Sequence, residues 1–180
     1  MFIKKASFLL SFLERNFYKC PQNVKENLFN ALVRPILEYG CCAWDPYRIC
    51  QIDKLELINK RAARFITGNN IREHGNSRKN MMSLGWSPLS ERRAKIKLTM
   101  FHKIINKQIH IPTDDLIPNR RKPLNYCIPQ STVDSHLYSF YPSTIRLWNS
   151  LPNYLKTIDS TSIFKNSLNT FPTAIKSSYA

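Results

Sequence analysis

The sequence predicts a mainly α fold, a helical bundle followed by an irregular arm with short helices and one or two short strands. Three observations predict it. Apolar residues recur at steps of three and four through the first 111 positions, the spacing of helices that each bury one face. Glycine is scarce, at 4, while proline, at 11, crowds the second half, so a helical first part gives way to a broken second part. Hydrophobic residues make up 43% of the chain, enough for a packed core. The resulting division is a helical domain at 1–111, a Pro-rich polar linker or arm at 112–135, and a small C-terminal helical region at 136–180.

The elements follow in order. Phe2, Ala6, Leu9 and Leu13 predict an amphipathic first helix. The apolar run ends at Glu14 and Arg15 with no small-residue cleavage site, which argues against a secretory signal. After Pro21, a residue suited to a first helical turn, Val24, Leu28, Ala31, Leu32 and Ile36 predict a second helix. Pro35 lacks an N–H and crowds the preceding turn, so it is expected to kink or end that helix before Gly40. In "DKLELINKRAARFITG", Asp53 and Glu56 resemble a capping box, Leu55, Ile58, Ala62 and Phe65 form the apolar stripe, and Gly68 suits a left-handed end. "NNIREHGNSRKN" reads as a polar loop. Ser87 and Pro88 predict the start of another helix, whose wide apolar face includes Ala94, Leu98, Phe101, Ile105 and Ile109. His136–Tyr141 is expected to be a short strand, and "TIRLWNSLP" and "SIFKNSLNTF" short helices.

Charge is the strongest functional signal. Lys plus Arg total 27 against 12 Asp plus Glu, a net of +15, which points to a polyanionic partner. Residues 54–107 hold thirteen Lys or Arg against three Glu, whereas an ordinary solvated helix face mixes signs. Such a face gains affinity for phosphates by releasing counterions. No stretch approaches the roughly 20 apolar residues of a membrane span. The five cysteines, two of them adjacent at Cys41 and Cys42, show no disulfide framework and predict reduced thiols in the nucleus or cytoplasm rather than a secreted protein.

Residue patterns for catalysis are weak. Asp114–Asp115 sits between two prolines, where a turn or cap role fits better than a pair of Mg²⁺ ligands. Cys41, Cys42 and Cys50 lack a histidine pair at zinc-ligand spacing, and nothing marks an activated thiolate. No metal, no cofactor and no small-molecule substrate is therefore expected. The aromatics Tyr39, Trp44, Phe65, Trp86 and Trp148 are read as structural core, with the stretch "RPILEYGCCAWDPY" as a packing joint between helices.

Five segments arrive in one order: "LVRPILEYGCCAWDPY", "IDKLELINKRAARFITG", "LGWSPLSERRAKIKLTMFHKI", "YSFYPSTIRLWNSLP" and "FKNSL". Together they resemble the C-terminal portion of reverse transcriptases from jockey-like non-LTR (LINE-type) retrotransposons, over about Lys5 to Leu168. The resemblance implies a thumb-like helical domain and the region after it, without the palm that carries the catalytic aspartates and their Mg²⁺. It implies a fragment that is not itself an enzyme and that binds RNA and DNA, as template–primer duplex, without sequence preference. Lys60, Arg61 and Arg64 in "NKRAARF", with Arg92, Arg93 and Lys97 in and after "ERR", are the expected phosphate contacts. Asp114–Asp115 falls after the thumb motifs and is not the family's catalytic pair. Two other readings stay open: a stand-alone repurposed nucleic-acid-binding module, and a protein–protein adaptor whose basic face meets an acidic partner.

Overall fold

Two apolar phases compete in the stretch after Pro21. Val24, Leu28, Leu32 and Ile36 form one line, and Phe29, Val33 and Leu37 form another, one residue out of step. A computed structural model, which describes residues 2–69, 76–111, 113 and 116–171, shows which phase is buried. Lys25, Phe29, Val33 and Leu37 face inward, while Val24 and Leu32 are exposed. The backbone explains how a strict four-residue spacing stays on one line. Helix α2 (Gln22–Leu28) runs into a π-helical turn (Phe29–Val33) and then α3 (Arg34–Glu38). The wider turn takes up part of the angular drift that a 3.6-residue turn would impose. It also stands one turn before Pro35. There the Arg34 N–H reaches back to the Phe29 carbonyl, so the helix continues through the proline instead of ending at it.

The fold is mainly α, as expected. The remaining helices are α1 (Phe2–Asn16), α4 (Cys41–Trp44), α5 (Ile49–Thr67), α6 (Asn76–Ser83), α7 (Leu89–Ile105), α8 (Asp134–Leu137), α9 (Phe140–Ser150), α10 (Asn153–Lys156) and α11 (Thr161–Thr170). Among the described residues there is no sheet, only an isolated antiparallel bridge between Pro118 and Tyr126. The expected strand at His136–Tyr141 is instead helical at both ends, in α8 and the start of α9. The expected polar loop is helical from Asn76, and its residues 70–75 lie outside the described set.

The chain forms two compact units, Met1–Cys41 with Pro46–Arg92, and Cys42–Asp45 with Arg93–Ala180. The division falls inside α7 and not at the expected 111/112 boundary.

In the first unit α1 packs on α3 and α5, and α5 also contacts α2 and α6. Helix α5 starts at Ile49, so Asp53 is not its cap, and Glu56 works elsewhere: its Oε1 accepts the Ser90 N–H at 3.1 Å in the first turn of α7. Gly68 ends α5 at φ +68°, a conformation that a side chain would strain. Trp86 is half-buried. It stacks on Phe29 with centroids 4.8 Å apart and donates its indole N–H to Glu26 at 3.1 Å. Tyr39 departs from the expected core: it is 82% exposed. Its extended backbone ends α3 just before Gly40 at φ +65°, and Leu37 and Cys41 take the buried positions instead. Phe65 is half-buried.

In the second unit Ala94, Leu98 and Phe101 of α7 meet Ile145, Trp148, Leu155, Phe164 and Leu168. Trp148 is buried as expected, and Trp44 is half-buried. Residues 116–126 of the expected linker are fastened to this core. Trp148 donates its indole N–H to the Leu124 carbonyl at 3.0 Å, and Asn149 exchanges two hydrogen bonds with the Tyr126 backbone at 3.0 and 2.8 Å. His102 stacks on Phe164 at 4.3 Å and bonds the Ile158 carbonyl at 2.5 Å. Helix α7 also buries Arg93 and Lys97, at 1% and 2% exposure, and both pair with the one carboxylate of Asp45.

Two stability predictions follow from this packing. Asp45→Ala is expected to lower the unfolding free energy by about 3–5 kcal/mol in urea titrations, because it removes the carboxylate paired with two buried cations. The second concerns Lys156, whose ammonium is desolvated and repelled by Lys122, so its pKa is lowered from 10.5. The unfolded chain then holds more protons just below pH 10.5, and stability rises as pH climbs through the folded-state value towards it. Lys156→Met is expected to remove that alkaline rise, read as the change in urea midpoint with pH.

Candidate nucleic-acid interface

The last turns of α5 place Arg61, Arg64 and Phe65 on one side, as three- and four-residue spacing requires. Lys25 approaches from α2, and Glu14 and Tyr18 from the end of α1. These side chains and Gly68 line a concavity of about 490 Å³ within the first unit. Lys25 runs its stem through the buried face of α2 and sets its ammonium 5.2 Å from the Phe65 ring centroid, a cation–π contact.

The two arginines differ. Arg61 is committed to Glu14: Nε donates to Oε1 at 2.8 Å, Nη2 pairs with Oε2, and Nη2 also donates to Ser11 Oγ at 3.0 Å. Arg64 carries a buried Nε with no hydrogen-bond partner. Three cations thus share the concavity with one carboxylate and two aromatic rings. That set suits a phosphate beside a stacked base or sugar.

Four acids of the first unit are engaged inside the structure. Glu14 holds Arg61, Glu26 accepts from Trp86, Glu38 holds Arg34 and Arg92, and Glu56 accepts from the Ser90 N–H. Lys4, Lys5, Arg15, Lys54, Lys60, Arg78 and Lys79 are exposed, against Asp53 as an exposed acid. The outward field is therefore more positive than the composition alone implies.

The expected phosphate contacts separate into groups. Lys60 is exposed on α5, and Arg61 and Arg64 line the concavity. Arg92 is half-buried and grips Glu38 with two bonds, at 2.6 and 3.1 Å. Arg93 and Lys97 require correction. Arg93 Nε meets Asp45 Oδ1 at 2.7 Å and Lys97 Nζ meets Oδ2 at 2.6 Å, both within the core, where a phosphate has no access. Lys25 and Tyr18 were not anticipated. The signal for Lys25 was present, since a lysine four residues before Phe29 continues the Phe29–Val33–Leu37 line.

Among the described residues, no three His, Cys, Asp or Glu side chains form a group able to hold a metal ion, and no helix is long and apolar enough to cross a membrane. Asp114–Asp115 lies outside the described residues. Comparison with protein-family models, curated proteins and solved structures returns no match.

The unpartnered Arg64 nitrogen carries a folding penalty. Arg64→Met keeps the apolar stem and is expected to raise the unfolding free energy, by up to about 1 kcal/mol, while weakening any anion held in the concavity. Urea denaturation alongside binding titrations checks the opposed signs.

Proposed function

We propose that this chain is a non-catalytic nucleic-acid-binding segment that holds template–primer duplex through its phosphates, in the role of the thumb and following region of a non-LTR retrotransposon reverse transcriptase. The observation that carries the reading is the concavity of Lys25, Arg61 and Arg64 beside Tyr18 and Phe65, on a surface where cations far outnumber acids. The ordered series of sequence segments supplies the family context. The side chains offered are point charges, guanidinium forks and aromatic faces. These grip a backbone and stack on any base, so binding is expected to be indifferent to sequence.

The reading is tested with a labelled RNA/DNA duplex and fluorescence anisotropy over a series of salt concentrations. Log affinity should fall linearly with log salt, and Lys60→Glu with Arg64→Glu should flatten the slope by about 2. Absence of binding at about 50 mM salt, or a salt-insensitive affinity, overturns the reading. Glu14→Gln supplies an independent check. It releases Arg61 from its carboxylate and is expected to tighten duplex binding by about two- to fivefold at low salt.

A further inference from the structure

The basic "RRK" stretch at 120–122 belongs to a built loop rather than a loose arm. Asn119 Oδ1 accepts the backbone N–H groups of Arg121 and Lys122 at 2.9 and 3.3 Å. The loop closes through Asn119 N–H to the Asn125 carbonyl at 2.9 Å and Asn125 N–H to the Lys122 carbonyl, also at 2.9 Å. Trp148 and Asn149 clamp the same loop to α9.

Between this loop and α10 lies a second concavity, of about 360 Å³, lined by Arg121, Lys122, Asn125, Asn149, Asn153 and Lys156 among others, none of them acidic. Lys156 is buried at its wall, its ammonium fixed by Asn125 Oδ1 at 2.7 Å and the Asn149 carbonyl at 3.2 Å. Two neutral acceptors orient this ammonium without cancelling its charge. Lys122 is near enough to repel it, so the folded protein holds like charges together at this wall. A bound anion would relieve that repulsion, and the asparagine side chains can donate to its remaining oxygens.

We infer that Arg121, Lys122 and Lys156 form an anion site for a phosphate group, carried either by a polynucleotide backbone or by a terminal phosphate. The site belongs to the second unit and uses none of the residues of the α5 concavity, so it stands whether or not the proposed duplex grip is right.

Calorimetric titration of pyrophosphate into the full chain at low chloride tests it. A saturable site is expected in addition to any binding in the α5 concavity, weakened at least about tenfold by the exposed pair Arg121→Ala with Lys122→Ala, whose fold is checked by circular dichroism. Lys156→Met should weaken it similarly, whereas Lys60→Ala with Arg64→Ala should leave it intact. Absence of saturable heat, or equal affinity in the wild type and the Arg121/Lys122 variant, overturns the inference. So does a loss confined to the Lys60/Arg64 variant. Competition by an oligonucleotide without terminal phosphates assigns the site to backbone phosphate. Competition only by a 5′-phosphorylated oligonucleotide assigns it to a terminal phosphate.

Discussion

A single carboxylate makes the centre of the second unit possible. Helix α7 is wrapped by core on several sides, yet it carries Arg93 and Lys97 at positions that end up buried. Each cation taken out of water costs several kcal/mol unless an opposite charge meets it in good geometry. Asp45 offers one oxygen to each, at 2.7 and 2.6 Å. The four-residue spacing of Arg93 and Lys97 puts both groups on one side of the helix, where one aspartate reaches them. This requirement fixes the short segment Cys42–Asp45 against the Arg93–Lys97 turn of α7 within the second unit.

The same economy governs the first unit. Acids are few, and four of those described meet a buried or half-buried donor: Glu14 at Arg61, Glu26 at the Trp86 indole, Glu38 between Arg34 and Arg92, Glu56 at the start of α7. Internal neutralisation leaves the outer surface with its lysines and arginines largely unopposed. A basic composition thereby becomes a basic exterior. It is also why counting cations overstated the number available to a ligand, since four of six expected contacts are engaged with Glu14, Glu38 or Asp45.

Local grammar was readable where one periodicity stood alone. The apolar stripe of α5 through Leu55, Ile58 and Ala62, its left-handed end at Gly68, and the buried Ala94, Leu98 and Phe101 of α7 follow from spacing and backbone sterics. After Pro21 two stripes overlap, and the expected one, Val24, Leu28, Leu32 and Ile36, is not the buried one: Val24 and Leu32 are exposed while Phe29, Val33 and Leu37 are enclosed. The buried stripe gains a partner from far along the chain, since the Phe29 ring stacks on Trp86. Tyr39 was misplaced for a related reason. Its hydrophobicity argued for burial, but the turn at Gly40 directs the chain so that Cys41 is enclosed and the ring is not.

By itself, then, the sequence determined the helical class, the phase of the helices with a single apolar stripe, the basic balance, and the stretch in which Arg61 and Arg64 lie. These depend on backbone geometry and on charge counts, which neighbours in sequence settle. The tertiary structure alone decided which cations face solvent, which carboxylate each buried donor meets, and that Lys25 and Tyr18 join the α5 concavity. It also decided that residues 120–122 belong to an ordered loop over Lys156. Those outcomes turn on the desolvation of polar groups brought together from distant positions, and no local pattern records where such groups will meet.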